Sequence, residues 1–220
     1  MPKQKIESNK VKAHTRYYTK NGDSVVGVTT ILNSVLAKPA LLEWAWRCGM
    51  NGQDYKKVRD KAGEVGTITH LLVMHYLKNT APDLSEYSKQ DIDTAQNCMK
   101  SFLEWEKVHK VEPIMLETPL ASDIYGYGGT PDFLGLVDEK LEILDFKTGG
   151  VFSSAYYQLA AYRQLAKEAG HKIERARILR IGRDDNEGFE ERLIVKFDLE
   201  FELFKHCLAI YNIQKSLKRG

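Results

Sequence analysis

Two carboxylates and a lysine lie close together around a pair of short apolar segments. Asp132 follows Pro131, and Asp145 and Lys147 are separated only by Phe146. On a β-strand, residues two apart project to the same face, about 6–7 Å apart along the strand. Carboxylate oxygens are the ligands of hard divalent cations, and a neighbouring ammonium can stabilise developing negative charge. The same groups could also form a structural ion-pair cluster, although buried carboxylates without a cation are costly.

The segments that would hold these residues predict a β-hairpin. Residues 132–137 and 141–147 are apolar runs joined by a polar turn. An even number of loop residues would put both carboxylates and the lysine on one face, whereas an odd loop without a bulge would turn Asp132 away. The turn lacks the Asn-Gly or Gly-Gly pair of tight two-residue hairpins. We therefore expect a four-residue loop, with Asp132 opposite Lys147.

The order of these residues resembles a known signature. Pro131-Asp132 followed by Asp145-x-Lys147 is similar to the motif of the PD-(D/E)XK nuclease superfamily. The RecB-type exonuclease branch has further residues at positions matched here by His70, Glu117, Gln158 and Tyr162. Gly129-x-x-Asp132 also resembles phage exonucleases and the mitochondrial genome maintenance exonuclease. The resemblance covers residues 66–165. A lone Asp-x-Lys arises by chance in many proteins, whereas this ordered set is far more specific.

The resemblance implies the fold. It is an α/β (α+β) architecture in which a central mixed β-sheet is flanked by helices, with a restriction-endonuclease-like core and an N-terminal helical region. A length of 220 residues suits one domain. We expect a mainly helical part over residues 1–110, the catalytic sheet over 111–197 and a C-terminal helix over 198–220.

The resemblance also implies the chemistry of a metal-dependent DNA exonuclease. Such an Mg²⁺- or Mn²⁺-dependent deoxyribonuclease would hydrolyse phosphodiester bonds from free ends, with single or double strands as substrate. One or two ions would bind Asp132, Asp145 and the backbone carbonyl of Phe146, with Glu117 and His70 completing the site. Histidine is a softer ligand than Mg²⁺ prefers, so it would favour Mn²⁺ or act through a water.

Two more residues would act beside the ion. Lys147 would hold the attacking water and stabilise the developing charge, and Gln158 would orient the site or contact the phosphate. Two other functions use the same residues. One is a non-catalytic nucleic-acid-binding or recombination module, against which the intact carboxylates and lysine argue. The other is an endonuclease, which only substrate assays distinguish.

Three of these side chains also have ordinary structural interpretations. Glu117 falls in a predicted strand over residues 113–121, where a glutamate normally faces solvent. His70 shares the apolar face of a predicted helix over residues 66–77, where a histidine is commonly part of the core. Tyr162 is a candidate DNA contact, but it lies on a helix expected to pack on the sheet, where its role would be mainly structural. The resemblance raises the functional interpretation of His70 and Glu117 above these.

The N-terminal 20 residues are basic and carry interleaved aromatic side chains. Lys10, Lys12, Arg16 and Tyr17 are candidate DNA contacts there, because such an arm can follow phosphates and stack on bases. The alternative is a solvated tail that leads into an edge strand. The remaining pattern predicts helices over Val28–Val35, from Pro39 to 48, 88–110, 155–169 and 198–218, and strands over 173–180 and 189–197.

Composition excludes several classes of protein. A net charge of +2 with 28% charged residues means that any DNA contact must come from local basic patches. No apolar run is long enough to span a bilayer, and the N-terminus does not resemble a signal peptide. Three scattered cysteines predict reduced thiols in a cytoplasm, bacterial or phage-infected, and no iron–sulfur cluster. A recombination or replication protein is a conceivable partner, and no ATP-binding loop is present.

Overall fold

The strands of the protein form two sheets, one of which carries both predicted hairpin strands. The computed structural model describes residues 15–184 and 186–218. Its helices are α1 (Val28–Val35), α2 (Pro39–Met50), α3 (Tyr55–Leu77), α4 (Lys89–Glu106), α5 (Ser154–Glu168) and α6 (Asp198–Leu217). Its strands are β1 (Tyr17–Tyr18), β2 (Ser24–Gly27), β3 (Val111–Leu116), β4 (Leu120–Ser122), β5 (Tyr127–Gly129), β6 (Phe133–Val137), β7 (Lys140–Lys147), β8 (Arg175–Ile181) and β9 (Phe189–Ile194). The larger sheet has the order β3-β6-β7-β8-β9 and the smaller one β1-β2-β5-β4.

The larger sheet is mixed and has a hydrophobic core on each face. Strands β7 and β8 are parallel, and the other neighbours are antiparallel. Because successive strand residues point to opposite faces, Leu134 and Ile143 pack with α1, α5 and α6, whereas Phe133 and Phe146 pack with α3 and α4. The predicted fold class, a central mixed sheet flanked by helices, is thereby confirmed.

The β6–β7 hairpin turns through two residues, so the predicted four-residue loop is wrong. Val137 pairs with Lys140, and the φ angles of Asp138 and Glu139 are +50° and +65°. Positive φ at both central positions is the geometry of a type I′ turn. The Asp138 carboxylate accepts hydrogen bonds from His109 Nδ1 at 2.6 Å and from the Lys110 backbone N–H at 2.9 Å. These contacts hold a turn that lacks the favoured glycine.

The shorter turn changes the register of the hairpin but not its faces. Phe133 pairs with Leu144 in the observed ladder. Continued by one residue, this register sets Asp132 opposite Asp145 rather than opposite Lys147. The loop still contains an even number of residues, so Asp132, Asp145 and Lys147 keep the common face expected from the sequence.

The predicted strand over residues 113–121 is two strands in different sheets. β3 ends at Leu116, and Glu117 then adopts a φ of +46°, which a strand does not allow. β4 begins at Leu120 and pairs with β5 in the smaller sheet. Glu117 therefore lies at a corner between sheets, and not within a strand. The smaller sheet was not predicted, because strands of two to four residues show no readable alternation.

Helix α3 begins well before the predicted start at residue 66. Its first residue is Tyr55, and the Asp54 side chain accepts a hydrogen bond from Lys56 N at 2.9 Å as an N-cap. The charged composition of residues 53–60 reflects solvent exposure of this end and not a loop. The other predicted helices are present with small shifts at their ends, and α1 has the predicted bounds.

Two further features bear on sequence expectations. The thiols of Cys48, Cys98 and Cys207 are buried and free. Among the described residues, no helix combines the length and apolar character that crossing a membrane requires.

The surroundings of Gly135 and Gly63 predict opposite effects of glycine-to-alanine substitution on the stability of the protein. A Cβ at Gly135 would lie 2.3 Å from the Glu112 carbonyl oxygen and 2.9 Å from Pro113 Cα, so Gly135→Ala should lower the free energy of unfolding by about 1–3 kcal/mol. A Cβ at Gly63, on the exposed part of α3, would meet no atom within 4 Å. Gly63→Ala should therefore stabilise the protein by about 0.5–1 kcal/mol. Urea denaturation measures both, and equal effects would contradict the packing argument.

Candidate active site

The candidate site lies at the carboxyl end of β7, where β6 begins. Asp145 and Lys147 are among the last residues of β7, and Asp132 immediately precedes β6. In open sheets with parallel strands, the crevice beyond the carboxyl ends of the strands is the usual place for ligands. The three side chains are on the face that packs with α5. The sequence-predicted pair of carboxylates and the lysine are therefore brought together.

Asp145 is buried without full compensation for its charge. Only 2% of the residue is exposed, and Lys147 Nζ lies 2.6 Å from Oδ2. Apart from that ammonium, Oδ2 has no hydrogen-bond donor among the described residues. Burial raises the pKa of Asp145 to about 6, and the charge of Asp132 adds to the rise while Lys147 opposes it. This carboxylate, whose charge the lysine compensates only in part, is suited to coordinate a cation.

Lys147 remains an ammonium despite being largely buried. Burial by itself would lower its pKa, but the negative charges of Asp145 and Asp132 outweigh burial and raise it. The amine is thus a fixed positive charge beside the two carboxylates.

The Asp132 side chain makes the hydrogen bond to the edge of β7 that a neighbouring strand residue would otherwise make. Because β6 starts only at Phe133, the backbone of Phe146 has no strand partner on that side. Asp132 Oδ2 accepts the Phe146 N–H at 2.9 Å instead. This bond fixes the carboxylate against the backbone of the residue between Asp145 and Lys147.

His70 approaches the same backbone from α3. Its Nε2 donates to the Phe146 carbonyl oxygen at 3.1 Å, and its Nδ1 lies 3.7 Å from Asp132 Oδ1. Its ring meets the Phe146 ring edge-on at 6.1 Å. The His70 imidazole and the Phe146 carbonyl, both predicted as metal ligands, are therefore hydrogen-bonded to each other.

Glu117 reaches the site through its backbone. Its N–H donates to the Asp132 carbonyl oxygen at 3.1 Å, and its side chain is half-buried. Within residues 15–184 and 186–218, no three His, Cys, Asp or Glu side chains are grouped as ligands of one ion. The predicted set of four side-chain ligands and the Phe146 carbonyl stays a prediction. The geometry leaves three oxygen donors available to a cation. They are the carboxylates of Asp132 and Asp145 and the second lone pair of the Phe146 carbonyl.

Gln158 and Tyr162 form the α5 wall of the site. Gln158 Nε2 donates to Tyr162 Oη at 2.9 Å. The tyrosine is buried, and its pKa is raised by burial first and also by the charges of Asp132 and Asp145. Its hydroxyl is therefore neutral, and burial leaves Tyr162 little surface for the predicted DNA contact.

The sequence did not reveal why Gly128 and Gly129 precede the site. A Cβ at Gly128 would lie 2.3 Å from Tyr17 Cβ, and one at Gly129 would lie 2.4 Å from Tyr162 Cε1. The two rings thus enclose this strand, and Tyr17 Oη also lies 3.1 Å from Thr130 Oγ1. The Gly-Gly pair was the available signal, since adjacent strand glycines often mark close approach.

The N-terminal candidates separate into two groups. Lys10 and Lys12 lie outside the described residues. Arg16 is exposed, whereas Tyr17 is half-buried by the packing on Gly128. Of the two candidate contacts that the structure describes, Arg16 has its side chain open to solvent.

The known proteins that resemble this chain are distant from it. No protein-family model matches the sequence, and no curated protein matches it. An alkaline exonuclease from Laribacter hongkongensis has 15% identity and a TM-score of 0.39, with 69% of this chain and 81% of that chain covered. A candidate exonuclease from Eubacterium rectale has 12% identity and a TM-score of 0.46, with 72% and 66% covered. Such values assign no function to this chain.

The buried carboxylate predicts a pH effect on stability in metal-free buffer. The pKa of Asp145 is about 6 in the folded protein, against an ordinary value near 4, so the folded state binds the extra proton. Lowering the pH from 7 to 5 should therefore stabilise the wild type relative to Asp145→Asn, by on the order of 1 kcal/mol. Urea denaturation of both proteins with EDTA at each pH measures this. A stability difference independent of pH would show an ordinary pKa.

Proposed function

We propose that this protein is a metal-dependent nuclease of the PD-(D/E)XK superfamily, in its RecB-type branch, that hydrolyses DNA from free ends. The observation that carries the proposal is the buried Asp145 carboxylate, whose Oδ2 meets the Lys147 ammonium and no further hydrogen-bond donor, across the hairpin from Asp132. These residues also have the order and spacing of the superfamily motif, and they share one face at the carboxyl end of a strand.

The donor set suits a hard divalent cation. Mg²⁺ is commonly held by one or two carboxylates together with waters, so Asp132, Asp145 and the Phe146 carbonyl are sufficient. A buried carboxylate without a cation is costly, and Lys147 offsets that cost only in part, because the pKa of Asp145 stays raised beside it. When bound, the ion supplies Lewis-acid stabilisation of phosphate charge and a more acidic water. The group fits as Mg²⁺ or Mn²⁺, in one or two sites.

The chain's own residues would position the reaction. Lys147, held as an ammonium, orients the attacking water and offsets charge developing on the phosphate. His70 fixes the Phe146 carbonyl and faces Asp132, which keeps both oxygens at the site. Gln158 stands at the α5 wall with its amide oxygen available to the water or phosphate, because its Nε2 is used by Tyr162.

The surroundings of the site favour a single strand that enters from an end. Helix α3 covers one side, where a Cβ on Gly66 would lie 3.2 Å from Thr148 Oγ1. Helix α5 covers the other side through Gln158. A cleft that is closed on two sides admits one strand more readily than an intact duplex. An endonuclease uses the same chemistry, and the substrates below separate the two.

Substitution of the lysine tests the chemistry. Lys147→Ala should lower the rate of degradation of linear DNA by at least about a hundredfold, because it removes a fixed charge aimed at the transition state. Asp145→Asn should do the same. Lys205→Ala, which changes a half-buried lysine on α6 paired with Glu202, is the matched control and should keep wild-type rates. Release of nucleotides from labelled DNA in Mg²⁺ or Mn²⁺ gives the rates.

The same assay distinguishes the alternatives. Closed circular DNA should resist cleavage while its linear form is degraded. Nicking or linearisation of the circle would indicate an endonuclease. DNA binding without cleavage of any substrate would indicate a non-catalytic module. Full activity of both site variants would refute the assignment of the residues.

Metal binding should also raise the thermal stability of the protein, which can be measured without an activity assay. Mn²⁺ or Mg²⁺ should raise the melting temperature of the wild type, because an ion that binds only the folded state stabilises it by about 2.7 kcal/mol at a hundredfold excess over its Kd. The shift should be larger at pH 7 than at pH 5, since a proton competes for Asp145 at the lower pH. Thermal denaturation with EDTA as reference measures it. A shift retained in Asp145→Asn would place the ion elsewhere.

A further inference from the structure

Arg183 lies at the same edge of the sheet as the candidate site. Strands β7 and β8 are parallel, and Lys147 pairs with Arg180. Arg183 follows three residues later, just beyond the carboxyl end of β8. A Cβ added to Gly149 would lie 3.5 Å from Arg183 Nη2, so the guanidinium rests against the chain two residues after Lys147.

The guanidinium has no partner that accounts for its position. Its Nε is buried and makes no hydrogen bond. The other arginines of β8 and β9 are ion-paired with glutamates, namely Arg175, Arg177, Arg180 and Arg192. Within residues 15–184 and 186–218, Arg183 forms no such pair. A buried donor left unpaired costs free energy, and in native proteins it requires an explanation such as a ligand.

The glutamate of the loop that carries Arg183 accepts its hydrogen bonds from other groups. Glu187 Oε2 accepts from Arg180 Nη2 at 3.0 Å and from the Arg183 backbone N–H at 3.1 Å. This second bond anchors the backbone of Arg183. The guanidinium is therefore held at a defined place, with its Nε buried and its Nη2 close to Gly149.

The loop that carries Arg183 is braced at both ends. Gly182 N donates to the Gly188 carbonyl at 2.7 Å, and Asp184 Oδ1 accepts from the N–H groups of Asn186 and Glu187 at 2.9 and 3.1 Å. A cation held on a braced loop loses little conformational freedom when it binds an anion.

We propose that Arg183 binds a phosphate of the DNA strand being cleaved, adjacent to the phosphate at Asp132, Asp145 and Lys147. The planar guanidinium donates in a fork that matches two phosphate oxygens. The guanidinium lies against Gly149, two residues beyond Lys147, and would take a phosphate next to the one at Lys147. This inference rests on the proposed nuclease function and adds a substrate-binding residue to it.

Binding without cleavage tests the proposal directly. A fluorescent single-stranded oligonucleotide in EDTA, titrated by anisotropy at several salt concentrations, gives Kd and its salt dependence. Arg183→Gln should raise Kd about tenfold and reduce the slope of log K against log salt by about 0.7, the value for one lost phosphate contact. Arg183→Lys should restore the slope but only part of the affinity, because an ammonium cannot donate in a fork.

The control is Arg192→Gln, which removes the same charge from β9 and should leave Kd and slope unchanged. In Mg²⁺, the loss in Arg183→Gln should appear as a raised KM with kcat within about threefold of wild type. Its melting temperature should not fall, since no intramolecular bond of the guanidinium is removed. A lowered melting temperature with unchanged Kd would make Arg183 structural and overturn the proposal.

The two proposals fail separately. If the wild type cleaves DNA and Arg183→Gln matches it in Kd, slope and KM, only the role of Arg183 is wrong. If the wild type neither binds nor cleaves DNA in the presence of Mg²⁺ or Mn²⁺, the nuclease function itself fails, and the role of Arg183 fails with it.

Discussion

The burial of Asp145 is the constraint on which the rest of the site depends. A carboxylate removed from water loses several kcal/mol of hydration unless nearby groups compensate. Here Lys147 compensates in part, and Asp132 on the facing strand makes ionisation harder. The arrangement is unfavourable as a pure structural cluster and becomes favourable with a cation between the carboxylates. The two hydrophobic cores on either face of the sheet supply the stability that tolerates it.

The part of the site that depends on strand periodicity could be predicted from the sequence. The side chains of a hairpin alternate with period two, so any even loop places Asp132, Asp145 and Lys147 on one face. The length of the loop could not be predicted in the same way. The type I′ turn at Asp138 is stabilised by His109, which lies 29 residues away in the sequence, and no local pattern reports such a contact.

The other features that the sequence did not reveal also depend on contacts between segments that are distant in the chain. Glu117 leaves β3 with a positive φ because the chain crosses to a second sheet, whose strands are too short for periodicity to reveal. The bond of His70 to the Phe146 carbonyl, and the packing of Tyr17 on Gly128, join segments that are far apart in the sequence. Arg183 carried no motif, and only its unpaired donor in the folded protein distinguishes it.

Phe146 explains how a charged site and an apolar core coexist on one strand. Its ring packs in the α3–α4 core, 5.8 Å from the Phe102 ring. Its N–H and carbonyl are bonded to Asp132 and His70, at the edge left open where β6 ends. Because neighbouring strand residues point oppositely, seating this ring in the core turns the side chains on either side of it toward α5. The position of the two charged groups is therefore set by a hydrophobic contact on the other face of the sheet.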